Sequence, residues 1–169
     1  MTTVRLGIIG SGGMAAHRAE RFRQVEGFEL TGLLTRNPET GASLSETLGV
    51  PLFESERDLL DRVDAVVICT HNESHARLAI SALESRKHVF TEYPVARSWG
   101  ESIRMKALAK ASGRVLRVAH EAALSATQRA LREEVLSLGA LLIATFVRLT
   151  PGRGRRPELL FNLPVSGPP

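Results

Sequence analysis

Short apolar runs recur along the chain: VRLGIIG (4–10), FELTGLLT (28–35), AVVICT (65–70), HVFTE (88–92) and RVLRVA (114–119). They are nearly continuous rather than alternating, which is the pattern of strands covered on both faces of a parallel sheet. Between them, apolar positions take helical spacing over about 13–24, 38–48, 55–61, 72–85 and 98–112. Ser98 followed by Glu101 is a capping-box signal, and Gly113 stops that helix before the next run. Strand and helix alternate throughout, so the pattern predicts an α/β fold built on a doubly wound parallel sheet.

The alternation changes after residue 120. HEAALSATQRALREEVLSLG predicts one long helix with Leu124, Leu131, Val135 and Leu138 on one face, and ALLIATFVRL (140–149) predicts a strand. A Gly- and Pro-rich tail follows. The division expected is a dinucleotide-binding domain over 1–121, followed over 122–169 by a linking helix, a first strand and the start of a second, open-sheet α/β substrate domain. That strand would leave an apolar edge needing cover, from further chain or from a second copy.

Composition narrows the class without changing the fold. Of 169 residues, 43% are hydrophobic and 24% charged, as in ordinary globular proteins. Cys69 is the single cysteine, which cannot form an internal disulfide and fits a reducing compartment. No apolar run reaches the roughly 18 residues of a membrane helix, and MTTVRLGII lacks a signal-peptide n-region, so a cytoplasmic protein is expected. The net charge of +4 is modest, and its densest cluster, Arg153, Arg155 and Arg156, lacks aromatic neighbours, arguing against a nucleic-acid groove.

The chemistry gathers where strands end. In GIIGSGGMAAH, residues Gly10, Gly12 and Ala15 form G-x-G-x-x-A between the first strand and the first helix. Gly10 permits the tight turn, Gly12 lets backbone approach a pyrophosphate, Ala15 allows close helix packing, and the helix start offers N–H groups to phosphate. This is the Rossmann dinucleotide-binding pattern. About 20 residues further on, where an acidic residue would grip the ribose of NAD, the chain has Thr35 and Arg36. A hydroxyl and a guanidinium suit a 2′-phosphate, so NADP is expected over NAD. The run AVVICT leads into Thr70, His71, Asn72, Glu73 and His75, at the end of a strand where cofactor contacts are expected. A zinc site from Cys69, His71 and His75 is not expected, because Cys69 should face the sheet core.

Taken in order, GIIGSGGMA, CTHNESH, KHVFTEYP and RVAHEAAL resemble the Gfo/Idh/MocA oxidoreductases, from the first strand to about Thr150. The Glu92-Tyr93-Pro94 triplet resembles the biliverdin reductase branch, whereas sugar and polyol dehydrogenases of the family usually carry Glu-Lys-Pro. The resemblance implies hydride transfer from NADPH to a bilin-like small molecule, with any oligomer formed through the second domain. It implies Gly10, Ser11, Gly12, Gly13 and Met14 around the pyrophosphate, and Thr35 with Arg36 at the adenosine end. Thr70, Asn72, His75 and Glu92 would line the nicotinamide side, and Tyr93, Glu92 and His120 would stand nearest the reacting atoms. The chain departs from that branch at Arg117, Ala119 and Ala122, where a histidine and two glutamates are expected. A sugar, polyol or imine oxidoreductase of the same family, and a non-catalytic NADP-binding module, are the alternatives.

Overall fold

A computed structural model of the chain describes residues 2–137. The apolar runs become strands of one parallel sheet: β1 (Val4–Ile9), β2 (Phe28–Leu34), β3 (Leu52–Phe53), β4 (Ala65–Ile68), β5 (His88–Thr91) and β6 (Leu116–Val118). Their spatial order is β3-β2-β1-β4-β5-β6. Between them run α1 (Gly13–Arg23), α2 (Pro38–Leu48), α3 (Glu56–Arg62), α4 (Asn72–Glu84) and α5 (Trp99–Ser112). The direction of winding reverses between β1 and β4, and that switch point is where open α/β sheets hold their ligands.

Both faces of the sheet are packed, as the continuous apolar runs require. Along β4, Ala65 and Val67, followed by Cys69, join a core with Ala15 and Ala19 of α1 and Leu44 and Leu48 of α2. Val66 and Ile68 point the other way, toward Leu59, Leu78, Leu83 and Met105 of α3, α4 and α5. A fully buried Val, Leu or Ile contributes about 1.5–3 kcal/mol, so these two layers supply the main driving force for the fold. No helix among the described residues is long and apolar enough to cross a membrane.

Local signals set most helix ends. The Asn37 side chain accepts hydrogen bonds from the amides of Glu39 and Thr40, and Ser55 accepts one from Asp58. Ser98 and Glu101 form the reciprocal capping box, and Gly113 closes α5 in a left-handed conformation. Helix α1 is built differently: Gly12 stands at its N-cap, no side chain caps it, and its first turn has no acidic residue.

Two expectations need correction. The two-residue strand β3 carried no recognisable apolar run and pairs only with β2. The helix expected from 120 onward is a 3₁₀ turn (Glu121–Leu124) followed by α6 (Ala126–Ser137). The Ser125 hydroxyl accepts a hydrogen bond from the Gln128 amide at 3.2 Å and starts a new helix there. Leu124, outside that helix, is left 57% exposed. Leu138, the strand expected at 140–149 and the Pro/Gly-rich tail lie outside the described residues.

At the rim where strands begin, the Arg5 guanidinium donates to both carboxylate oxygens of Asp64 at 3.0 and 2.8 Å. The hydrogen bonds from Arg5 hold the Asp64 carboxyl well below the usual carboxylate range, at about 2.

Candidate functional site

Parallel register converts sequence position into a map of the opposite rim. Leu34, Ile9, Ile68, Thr91 and Val118 lie side by side across β2, β1, β4, β5 and β6. Ladder hydrogen bonds continue one residue further, from Gly10 to Leu34, Cys69 to Ile9, Glu92 to Ile68 and Ala119 to Thr91. The next row therefore reads Thr35, Gly10, Cys69, Glu92, Ala119, and the one after it Arg36, Ser11, Thr70, Tyr93, His120. Residues spread over most of the described chain become neighbours along one edge. From β2 to β5 is three strand spacings, about 14 Å.

At the β1 tip, Gly10 has φ +122°, and a Cβ there would lie 2.3 Å from the Cys69 carbonyl oxygen. Only glycine fits. A Cβ on Gly12 or Gly13 would meet nothing within 4 Å. The turn is thus open on the side where the bare start of α1 presents its amides, and a pyrophosphate fits both features. Met14, on the first turn, is 45% exposed beside it.

On the β2 side three hydroxyls converge. Ser11 Oγ lies 2.8 Å from Thr35 Oγ1 and 2.6 Å from Thr40 Oγ1. Thr40, on the first turn of α2, was not foreseen from the sequence. Arg36 projects from the same tip with its side chain 79% exposed, and its guanidinium approaches Glu73 of α4 at 3.8 Å. Glu73 therefore faces the β2 tip as well.

At the β4 tip, Ser74 Oγ lies 2.7 Å from Thr70 Oγ1. Asn72 is the first residue of α4, and His71 occupies the N-cap without a side-chain hydrogen bond. His75, expected among the cofactor contacts, is only 1% exposed. Its Nδ1 lies 2.8 Å from the Pro94 carbonyl oxygen and its Nε2 3.1 Å from that of Thr70. Both partners are acceptors, so whichever ring nitrogen carries the proton donates to its carbonyl, and the buried ring packs between the β4 tip and the segment after β5. Burial pushes the Cys69 thiol up to about 12, with the Glu92 charge adding to the rise.

Tyr93 and His120 meet at the far end, with ring centroids 5.9 Å apart and Tyr93 57% exposed. The Tyr93–Pro94 peptide is cis. Glu92 is buried rather than open to a ligand, because Arg18 of α1 donates from Nε to Glu92 Oε1 at 2.6 Å. The same guanidinium donates to Glu121 and lies over the Phe90 ring, 5.2 Å from its centroid. Burial works against the Arg18 charge, but its hydrogen bonds to Glu92 and Glu121 outweigh that, and its pKa is raised. Sequence reading missed Arg18. A signal was present, since Ala15, Arg18, Ala19 and Phe22 share one face of α1 and a charge on that face calls for a partner.

Comparison with known proteins places this geometry. A family model described as Gfo/Idh/MocA oxidoreductase, NAD-binding Rossmann fold, matches residues 4–120. A 4-carboxy-2-hydroxymuconate-6-semialdehyde dehydrogenase from Sphingobium is 28% identical, covering 69% of this chain and 38% of its own length. A glucose-6-phosphate 3-dehydrogenase from Bacillus subtilis is 33% identical, with 60% of this chain and 29% of the relative covered. The chain thus spans less than half the length of these relatives. Among solved structures, biliverdin reductase from Synechocystis, in complex with biliverdin and NADP+, superposes with a TM-score of 0.74 at 32% identity. That match covers 81% of this chain and 44% of the reductase.

Proposed function

The chain belongs to the Gfo/Idh/MocA family of oxidoreductases with an NAD-binding Rossmann fold, and on that premise we propose that it forms the cofactor half of an NADPH-dependent reductase whose acceptor is a conjugated, bilin-like small molecule. The observation that carries this reading is the aromatic pair at the tips of β5 and β6. Tyr93 brings a hydroxyl and a flat ring where a lysine would bring a cation, and the His120 ring stands beside it, tilted by 43°. Two such rings suit a planar π-system better than a polyol, whose hydroxyl a cation would polarise.

The remaining roles follow from position. Gly10, Ser11, Gly12, Gly13 and Met14 surround the pyrophosphate, and the bare start of α1 supplies its hydrogen bonds. The hydroxyls of Ser11, Thr35 and Thr40, together with Arg36, receive a 2′-phosphate, which supports NADP over NAD. Thr70 and Asn72 face the nicotinamide half from the β4 tip. His75 and Glu92 hold their neighbours in place, and the Tyr93 hydroxyl and His120 imidazole are the groups available to exchange a proton with the acceptor. Bound NADPH supplies the hydride.

A sugar or polyol dehydrogenase is the second reading, favoured by the likeness to the Bacillus subtilis glucose-6-phosphate 3-dehydrogenase. The test is to assay the full-length gene product for NADPH consumption with biliverdin and for NADP reduction with glucose 6-phosphate and inositol. Biliverdin-dependent consumption is expected. Turnover of the polyols without any of the bilin would overturn the reading, and NADPH binding without turnover of either would point to a non-catalytic module.

A further inference from the structure

The two rings at the β5 and β6 tips share a support that neither touches. Arg18 is buried on α1, 6% exposed, and its partners are Glu92 and Glu121. Glu92 immediately precedes Tyr93, and Glu121 immediately follows His120. One guanidinium therefore holds the covalent neighbours of both rings, and those rings meet at 5.9 Å. The anchor itself is fixed. Phe90 and Glu92 lie two residues apart on the α1 side of β5, and the guanidinium lies over the Phe90 ring while hydrogen-bonded to the carboxylate beyond it. Planar, forked donors suit this task, because one group can engage two carboxylates in different directions. A lysine can supply the charge but not the fork.

We propose that Arg18 is a positioning residue that sets the Tyr93–His120 pair by clamping Glu92 and Glu121 to α1. The contribution of that pair to turnover rests on the reductase reading above, whereas the clamp itself does not. The two ideas can therefore fail separately.

The experiment compares wild type, Arg18→Lys, Arg18→Met and Glu121→Gln in the full-length gene product. Tyr93 is the single tyrosine in these 169 residues, and comparison with a Tyr93→Phe variant assigns its ring resonances in the full-length gene product. Three quantities are read: the nuclear Overhauser effect between the Tyr93 and His120 rings, NADPH affinity by calorimetry, and kcat with biliverdin. The Glu121 side chain is 61% exposed, so Glu121→Gln weakens one arm of the clamp, leaving a neutral amide oxygen to accept from Arg18, without stranding a buried charge. The ring-to-ring signal is expected to weaken in Glu121→Gln, to be partly kept in Arg18→Lys and to be lost in Arg18→Met. NADPH affinity should change by less than about threefold, while kcat falls about tenfold or more, as small misplacements do. If Arg18→Met fails to fold, the comparison of Glu121→Gln with Arg18→Lys carries the test. An unchanged ring-to-ring signal in the folded variants would overturn the proposal, leaving Arg18 a mere counter-charge for Glu92. A weakened signal in a protein that does not turn over biliverdin would uphold the clamp and reject the bilin.

Discussion

Arg36 stands at the β2 tip with little to hold it. Its side chain is 79% exposed and meets Glu73 only at 3.8 Å, a contact that water largely screens. A 2′-phosphate would bring more negative charge than Glu73 and a geometry suited to the guanidinium fork, so Arg36 should favour NADPH at small cost in rearrangement. Arg36→Ala is expected to weaken NADPH about 10–100-fold, the worth of a hydrogen bond to a charged group, and NADH only slightly. Titration calorimetry with both cofactors checks this, and equal losses would remove the basis for NADP preference. Single residues differed in how legible they were. Gly10 could be read from its neighbours, because the strand-to-helix turn that requires it is local. Arg18 could be read only as a charge in need of a partner, since the partners themselves lie 74 and 103 residues further along the chain. His75 was expected as a contact from its place after a strand, and its burial between the Pro94 and Thr70 carbonyls has no local signal.

Elements whose signals were local came out as read. The cap of α5 was read from Ser98 and Glu101, and α2 uses an equally local cap, Asn37, that was not singled out. Strand β3 was missed because two residues cannot show periodicity, and it exists through its pairing with β2. The helix expected after residue 120 was broken by Ser125, where a hydroxyl that caps a new helix outweighed an uninterrupted run of helix formers. The connection from α4 to β5 shows the opposite strain. Arg86 has φ 59°, a left-handed conformation in which its side chain crowds the backbone. Gly49 and Gly113 fill the corresponding positions after α2 and α5. Arg86→Gly should therefore stabilise the domain by about 1 kcal/mol. Urea unfolding measures this, and an unchanged or lower midpoint would count against a strained turn.

Across the whole molecule, the parallel sheet has two unlike rims. Strand starts carry the Arg5–Asp64 pair, and strand ends carry the residues assigned to cofactor and acceptor. The pair gives a pH dependence with a defined sign. The Asp64 carboxyl titrates lower when folded, about 2 against an ordinary 3.8, so its contribution is present above pH 4 and is lost as pH falls toward 2. Asp64→Asn should lower the denaturation midpoint at pH 7, and the gap from wild type should close at pH 2–3, with NADPH affinity at pH 7 unchanged. A gap independent of pH would show that the ion pair is not its source. Because a parallel sheet sends every strand the same way, the chain cannot mix the two rims. A library that varies only the residues at strand starts can then search for heat resistance without disturbing cofactor choice, and one that varies only the exposed strand-end residues, Tyr93 and His120 among them, can search for a new acceptor while Gly10, Cys69 and Glu92 keep the frame intact.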